Sequence, residues 1–198
     1  MDDPVNREKD DFYPTHPGAT EALLSVEQFD AFVWEPACGE GDMSRVLEAH
    51  DYSVLSEDLI DRGYGNTGHD FLLAQNLKAK SVVTNPPFKL ALEFCEHAIS
   101  LGAHKTAMFL RLAFLEGIKR KTFFEKHPPA RVWVMSRRVP MQRGRLSQKG
   151  DGHGVMAFAW FVWERGFTGA PTVGFLDWKD HAPPTKETEQ RREAEVVV

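Results

Sequence analysis

The stretch Val82-Val83-Thr84-Asn85-Pro86-Pro87-Phe88 constrains the fold more than any other. Val82, Val83 and Thr84 suit a buried strand. Two prolines then remove two backbone donors and fix two φ angles, so the strand must end there. The residues beyond that stop are held rigidly at the strand's carboxyl end. In open parallel α/β sheets that edge is where ligands bind. Asn85 places an amide there, and Phe88 places a flat ring within its reach. The bland reading of the same residues is a proline turn carrying a core phenylalanine.

Upstream, Ala31–Trp34 reads as the first strand and runs into Glu35-Pro36-Ala37-Cys38-Gly39-Glu40-Gly41-Asp42. A helix comes next, with Met43, Val46 and Leu47 inward. Strand, glycine loop and helix make a nucleotide-binding turn, in which Gly39 and Gly41 let the backbone approach a ligand. A dinucleotide fingerprint would want a third glycine near Ser44, and it is missing. No Gly-Lys-Ser/Thr occurs, which excludes a phosphate-gripping loop. Glu35, ahead of the loop, suits a cationic ligand. Tyr52–Ser56 is a second strand ending in Glu57-Asp58, where an acid can accept hydrogen bonds from both ribose hydroxyls. A glycine-rich loop over 61–68 delivers His69-Asp70-Phe71. Ahead of all this, Phe12-Tyr13-Pro14-Thr15-His16-Pro17 leads into a helix with Ala19, Ala22, Leu23, Val26 and Phe29 on one face.

After the prolines, Leu90, Phe94, Ala98 and Leu101 share a helical face that Gly102 ends. Lys105–Leu110 is a buried strand. A basic helix spans Ile118 to His127, and Pro128-Pro129 break it. Arg131–Ser136 alternates as a strand. Residues 137–154 lack a hydrophobic period and read as a flexible basic loop. Val155–Trp163 is a strongly apolar strand, and Thr172–Leu176 is another. Residues 1–10 read as a mobile arm and 182–198 as a loose tail. That leaves 11–181 as one domain of the 198-residue chain.

The catalytic turn suits one chemistry in particular. The exocyclic amine of adenine is a poor nucleophile because its lone pair is delocalised into the ring. Two acceptors set against its two N–H groups turn that lone pair out of the plane. The Asn85 side-chain oxygen and the Pro86 carbonyl suit this, and Phe88 suits stacking on a base drawn out of its strand. Asn-Pro-Pro-Phe after a hydrophobic strand resembles the catalytic motif of amino-group methyltransferases that use S-adenosylmethionine, above all adenine-N6 DNA methyltransferases. The resemblance covers most of residues 11–165, with the motif order of small phage and prophage members. It implies a Rossmann-like α/β methyltransferase fold: a mainly parallel seven-stranded sheet, the last strand antiparallel, with helices on both faces. It assigns Asn85, Pro86, Pro87 and Phe88 to catalysis. It assigns Phe12, Tyr13, Thr15, Glu35, Pro36, Ala37, Cys38, Gly39, Gly41, Asp58, Asp70 and Phe71 to binding S-adenosylmethionine. The implied reaction is methyl transfer to the N6 amine of adenine in DNA, in the cytoplasm of a bacterial or phage-infected cell. RNA-adenine and protein-glutamine enzymes use related Asn-Pro-Pro-aromatic turns and stay open as alternatives, as does a non-catalytic nucleic-acid-binding relative. Phe88, where the protein enzymes more often carry Tyr, leans toward a nucleobase.

Charge enters through its distribution. The net charge is −5. Residues 105–150 nevertheless hold 12 Lys and Arg against 2 Asp and Glu, a balance of +10 in an otherwise acidic chain. A basic third is a candidate phosphate-binding surface, or else a set of solvated faces. Lys119, Arg120, Arg137, Arg138, Arg143, Arg145 and Lys149 are its nucleic-acid-binding candidates. Cys38 reads as a small loop residue rather than a nucleophile, and the two cysteines suggest a reducing compartment. The histidines show no paired ligand spacing and no Cys-x-x-Cys exists, so no metal is expected. No run of about 18 apolar residues occurs to span a membrane, and the polar amino terminus is no signal peptide.

Overall fold

The central strands bury both of their faces. In β7 (Phe158–Glu164), Phe158, Trp160 and Val162 enter one core, while Ala159, Phe161 and Trp163 enter the other. The same alternation sorts Val33 from Trp34 in β1 (Phe32–Glu35) and Val83 from Val82 in β4 (Ser81–Thr84). In β5 (Lys105–Arg111) it sorts Ala107 and Phe109 from Met108 and Leu110. A period of two with apolar residues on both sides is the mark of a sheet covered on both faces. The helices supply the covers. Helices α1 (Pro17–Leu24) and α2 (Asp42–Ala49) give Ala19, Ala22, Leu23, Met43 and Leu47 to the first core. Helices α3 (Ala91–Ser100) and α4 (Ile118–Lys126) give Phe94, Cys95, Ala98 and Phe123 to the second.

The computed structural model describes residues 12–140 and 156–181. Within them the sheet is completed by β2 (Ser53–Asp58), the two-residue β3 (Asn66–Thr67), β6 (Arg131–Met135) and β8 (Thr172–Leu176). The strand order is β3-β2-β1-β4-β5-β7-β6-β8. Every neighbouring pair is parallel except those of β7, which runs antiparallel to β5 and β6. The expected count of seven strands is therefore one short. The antiparallel strand is the seventh, and the last strand, β8, pairs parallel with β6 as an added edge. Gly174 permits that edge, since a Cβ there would lie 2.1 Å from the Trp133 ring.

Several helix and strand limits also differ from the sequence reading. Helix α1 ends at Leu24, so Val26 and Phe29 are not on it. The Ser25 hydroxyl turns back to the Ala22 carbonyl, and Glu27 leaves the helix for a buried network with Lys105, Arg131 and Trp133. Leu90 precedes α3 and is 40% exposed rather than core. Strand β7 begins at Phe158, where pairing with Arg111 begins. The arm 1–10, the tail 182–198, and Arg143, Arg145 and Lys149 lie outside the described residues.

The topology fixes where ligands can bind. The chain winds one way through β1, β2 and β3, then crosses to β4 and β5 on the other side. The crevice at such a reversal lies outside the carboxyl ends of the two strands flanking it. Here those strands are β1 and β4, whose ends lead into Glu35 and Asn85. Because β7 is antiparallel, its first residue, Phe158, lies at the same edge, opposite Arg111.

Candidate active site

At this crevice lies a cavity of about 650 Å³, within the roughly 300–1,000 Å³ of small-molecule sites. Phe12, Tyr13, Thr15, Glu35, Pro36, Ala37, Cys38, Gly39, Asp58, Asp70 and Phe71 all line it, as do Asn85, Pro86 and Pro87. Gly41 does not. It caps α2 with φ +82°, and a Cβ there would strike the Tyr64 ring at 2.5 Å. Gly39, at φ +58°, leaves room for the Phe12 ring, which a Cβ would meet at 2.4 Å. Both glycines therefore make space for aromatic side chains of this chain as well as shaping the loop.

The loop is tied down from β2. The Asp58 carboxylate accepts hydrogen bonds from the Gly39 N–H at 2.8 Å and the Ile60 N–H at 2.9 Å. Each oxygen keeps a lone pair directed elsewhere. Glu57, the other acid at that strand end, is occupied away from the cavity, salt-bridged to Lys78 and bonded to the Trp34 indole. Glu35 is 2% exposed and accepts from the Ser44 hydroxyl, which also bonds Ser56 at 2.6 Å. Ser44 thus anchors the acid, which explains a hydroxyl where a dinucleotide loop would carry glycine. Burial pushes the Glu35 carboxyl well above its usual range. The Ser44 hydroxyl pulls it down, while the charges of Asp42 and Asp58 raise it further. Burial, followed by the charges of Glu35 and Asp58, pushes the Cys38 thiol up to about 12. At that value it is a poor thiolate nucleophile at neutral pH.

The Asn-Pro-Pro turn is built from two distant parts of the chain. Strand β4 ends at Thr84, and the two prolines carry the chain to a single 3₁₀ turn at Phe88–Leu90. The Asn85 amide donates to the Tyr13 carbonyl at 2.9 Å and to the Thr15 hydroxyl at 3.0 Å. The Tyr13 carbonyl can only accept, so it fixes which end of the amide faces it. The Asn85 oxygen is then left buried with no hydrogen-bond partner. A buried acceptor without a donor costs free energy, and such orphans mark strained or functional positions. Helix α1 holds the other side in place: Pro17 starts it, and the His16 Nδ1 accepts from the Gly18 N–H at 3.1 Å. Burial lowers the His16 pKa, which keeps that nitrogen an acceptor.

Phe88 is not on the cavity wall. Its ring stacks on Tyr13, with centroids 5.1 Å apart and planes 18° apart, and tilts against Phe158 at 5.6 Å. Of the basic candidates, Arg137 is paired with Asp177 and Arg120 donates to the Ala113 carbonyl. Arg138 is exposed, and its carbonyl accepts from the Trp178 indole. Lys119 is exposed and borders a separate cavity between α3 and α4. The sequence reading missed Ile60, Arg62, His69 and Lys89 on the main cavity wall. Arg62 was legible as the one cation in the glycine loop; its guanidinium lies 4.1 Å from the Phe12 ring centroid. Among the described residues no cluster of His, Cys, Asp and Glu could hold a metal, and no helix is long and apolar enough to cross a membrane.

No protein-family model matches the chain, and no curated protein matches it in sequence. Solved structures do match. The type I restriction-modification system methyltransferase subunit from Streptococcus thermophilus is similar at 12% identity and TM-score 0.55, over 90% of this chain and 50% of that one. A dimethyladenosine transferase from Plasmodium falciparum is similar at 14% identity and TM-score 0.52, over 77% and 62%. The 23S rRNA methyltransferase ErmE is similar at 16% identity and TM-score 0.52, over 80% and 72%. The chain spans about half the length of the restriction-modification subunit. At these identities the likeness carries the architecture. The chain has the Rossmann-like α/β methyltransferase fold, with a mainly parallel sheet flanked by helices.

Proposed function

We propose that the protein is an S-adenosylmethionine-dependent methyltransferase acting on the N6 amine of adenine in DNA. The observation that carries this reading is the Asn85 oxygen: buried, unpartnered, and held by two bonds to the other end of its own amide. An acceptor kept empty at a ligand-binding edge suits a substrate N–H. The Pro86 carbonyl is the natural second acceptor, since proline has no donor of its own.

The donor set of the cavity fits the cofactor. Asp58 suits the ribose hydroxyls, and Glu35 suits a cationic amino-acid end. The apolar wall of Phe71, Leu72 and Phe94 suits an adenine ring. When bound, the cofactor supplies a methyl carbon that the amine nitrogen displaces from sulfur, leaving a neutral thioether. The residues of this chain align and polarise. Asn85 and Pro86 draw on the two N–H groups and localise the lone pair. The proton leaves after transfer, so no strong base is required beside the amine. The basic balance of residues 105–150 and Phe88 in place of Tyr favour a nucleic acid over a protein glutamine.

The test is direct. Purified protein with tritium-labelled cofactor should label unmethylated DNA, and digestion should return the label as N6-methyladenine. Label confined to RNA or to protein would move the substrate class while keeping the turn's chemistry. No transfer to any of the three, despite cofactor binding, would sink the enzyme reading. Asp58→Asn keeps one carboxyl-type oxygen for the Gly39 and Ile60 amides and loses the other. It should weaken cofactor binding about tenfold, the scale of a charge-assisted hydrogen bond. Calorimetry showing unchanged affinity would remove Asp58 from the ribose.

A further inference from the structure

Among the described residues, one arginine combines a ring contact with a buried, unpartnered side-chain nitrogen. Arg131 is paired with Glu27 and Glu164, and Arg137 with Asp177. Arg111, the last residue of β5, pairs with no carboxylate among the described residues. Its Nε is buried with no hydrogen-bond partner. The contact that holds its guanidinium is the Phe88 ring, whose centroid lies 4.5 Å from Cζ. Arg111 is thus a half-buried cation, held by an aromatic face, at the same carboxyl edge of the sheet as Asn85.

The ring geometry shows what that position excludes. A ring has two faces. Tyr13 lies near-parallel to the Phe88 ring at 5.1 Å, and the Arg111 guanidinium lies over the same ring at 4.5 Å. Phe158, tilted by 44°, packs at the side. A base that stacks on Phe88 competes for the ring with a buried tyrosine and with a guanidinium on a long side chain. Tyr13 is fixed, because its carbonyl holds Asn85 and its ring sits in the core. Arg111 is the movable partner.

We propose that Arg111 is a placeholder for the target base. It covers the stacking face of Phe88 in the free protein. When an adenine stacks there it swings out and pairs with a phosphate of the extruded nucleotide. The inference rests on a nucleobase being the substrate. Three observations point the same way: an unpaired guanidinium seeks an anion, its present partner is a π-face that a base can equally use, and it stands at the same strand edge as Asn85. Cation–π contact and base stacking on one ring are of similar strength. The exchange is then close to balanced, and the new charge-assisted pair with phosphate tips it. The unfilled state keeps the phenylalanine face covered from water.

The experiment reads Arg111 in the wild-type protein. Burial slows exchange of the Arg111 Nε proton, so its resonance can be followed by NMR and assigned from its loss in Arg111→Lys. In the free protein it should carry an upfield ring-current shift that Phe88→Leu abolishes. Saturation with sinefungin and a single-stranded oligodeoxyadenylate should return it toward the ordinary arginine position, whereas sinefungin alone should not. In kinetics, Arg111→Ala should raise the KM for the oligonucleotide about tenfold. It should also flatten the slope of log affinity against log salt by about one phosphate contact, with cofactor affinity unchanged. Arg111→Lys should restore most of the salt slope. If the resonance stays ring-shifted in the saturated complex of a protein that methylates adenine, Arg111 is a fixed support and the proposal fails. If the recovered label is on no nucleobase, the nucleobase reading itself has failed and takes the proposal with it. Nucleoside analysis of the product separates the two cases.

Discussion

Asn85→Ala should lower methyl transfer on the order of a hundredfold or more while cofactor affinity stays within a few-fold of wild type. The size comes from where the loss falls. The Asn85 oxygen has no partner in the free protein, so nothing in the ground state depends on it. On the proposed reading its bond forms when a substrate N–H arrives and strengthens as the amine gains positive charge. Removing one such oriented contact in other enzymes costs about 2.7–4 kcal/mol. The amide's other end gives a control. Thr15→Val removes one of the two acceptors that fix the amide and should cost less, about tenfold, because the Tyr13 carbonyl still orients it. Asn85→Asp keeps an oxygen but sets a carboxylate against the Tyr13 carbonyl, so it should resemble alanine rather than wild type. Single-turnover rates with labelled cofactor, alongside calorimetric binding, measure both halves. Wild-type turnover in Asn85→Ala would show that this turn is not where the chemistry occurs.

The parts of this site that the sequence revealed are the parts built locally. Two prolines end a strand whatever surrounds them, and a strand followed by Gly-x-Gly and a helix makes its loop from its own backbone. Residues 35–39 and 85–87 were therefore legible, and they sit together because β1 and β4 are neighbours. What was hidden depends on long-range packing. Nothing in the spacing shows that Tyr13 and Thr15 hold an amide seventy residues away. Nothing shows that Arg111 lies on Phe88, since that contact depends on β4 and β5 pairing side by side in parallel. Composition records charge but not partners: within the +10 stretch, Arg120, Arg131 and Arg137 each have a partner in the fold. The apolar period of α1 ran past its end, because Glu27 is drawn into the Lys105–Arg131 network, a partnership no local pattern records.

Glu35→Gln should do two opposite things, and their pH dependence identifies the cause. Glu35 is 2% exposed, and burial, against the pull of Ser44 and with the push of Asp42 and Asp58, holds its pKa well above 4.5. As pH rises past the ordinary carboxylate value, the unfolded chain loses this proton while the empty folded site keeps it. Folding then takes up a proton, and stability falls with rising pH until the raised pKa is passed. Glutamine has no proton to lose. The ligand-free variant should therefore melt higher than wild type at neutral pH, by about 2–4 °C for each kcal/mol relieved. The difference should vanish near pH 4, where both forms of the wild-type chain are protonated. Cofactor binding runs the other way. A cationic ligand favours the ionised carboxylate, so wild-type affinity should strengthen as pH rises toward the raised pKa, with proton release on binding. Truncating one partner of a buried charge pair costs upward of about 2 kcal/mol, so the variant should bind on the order of thirtyfold more weakly or worse at neutral pH. Its affinity should show little pH slope. Calorimetry in two buffers of different ionisation heat counts the released proton, and thermal scans across pH track the stability. A variant that binds as tightly as wild type with the same pH slope would mean that the cation lies elsewhere. A variant that melts lower at neutral pH would mean that Glu35 is held ionised by the surrounding hydrogen bonds.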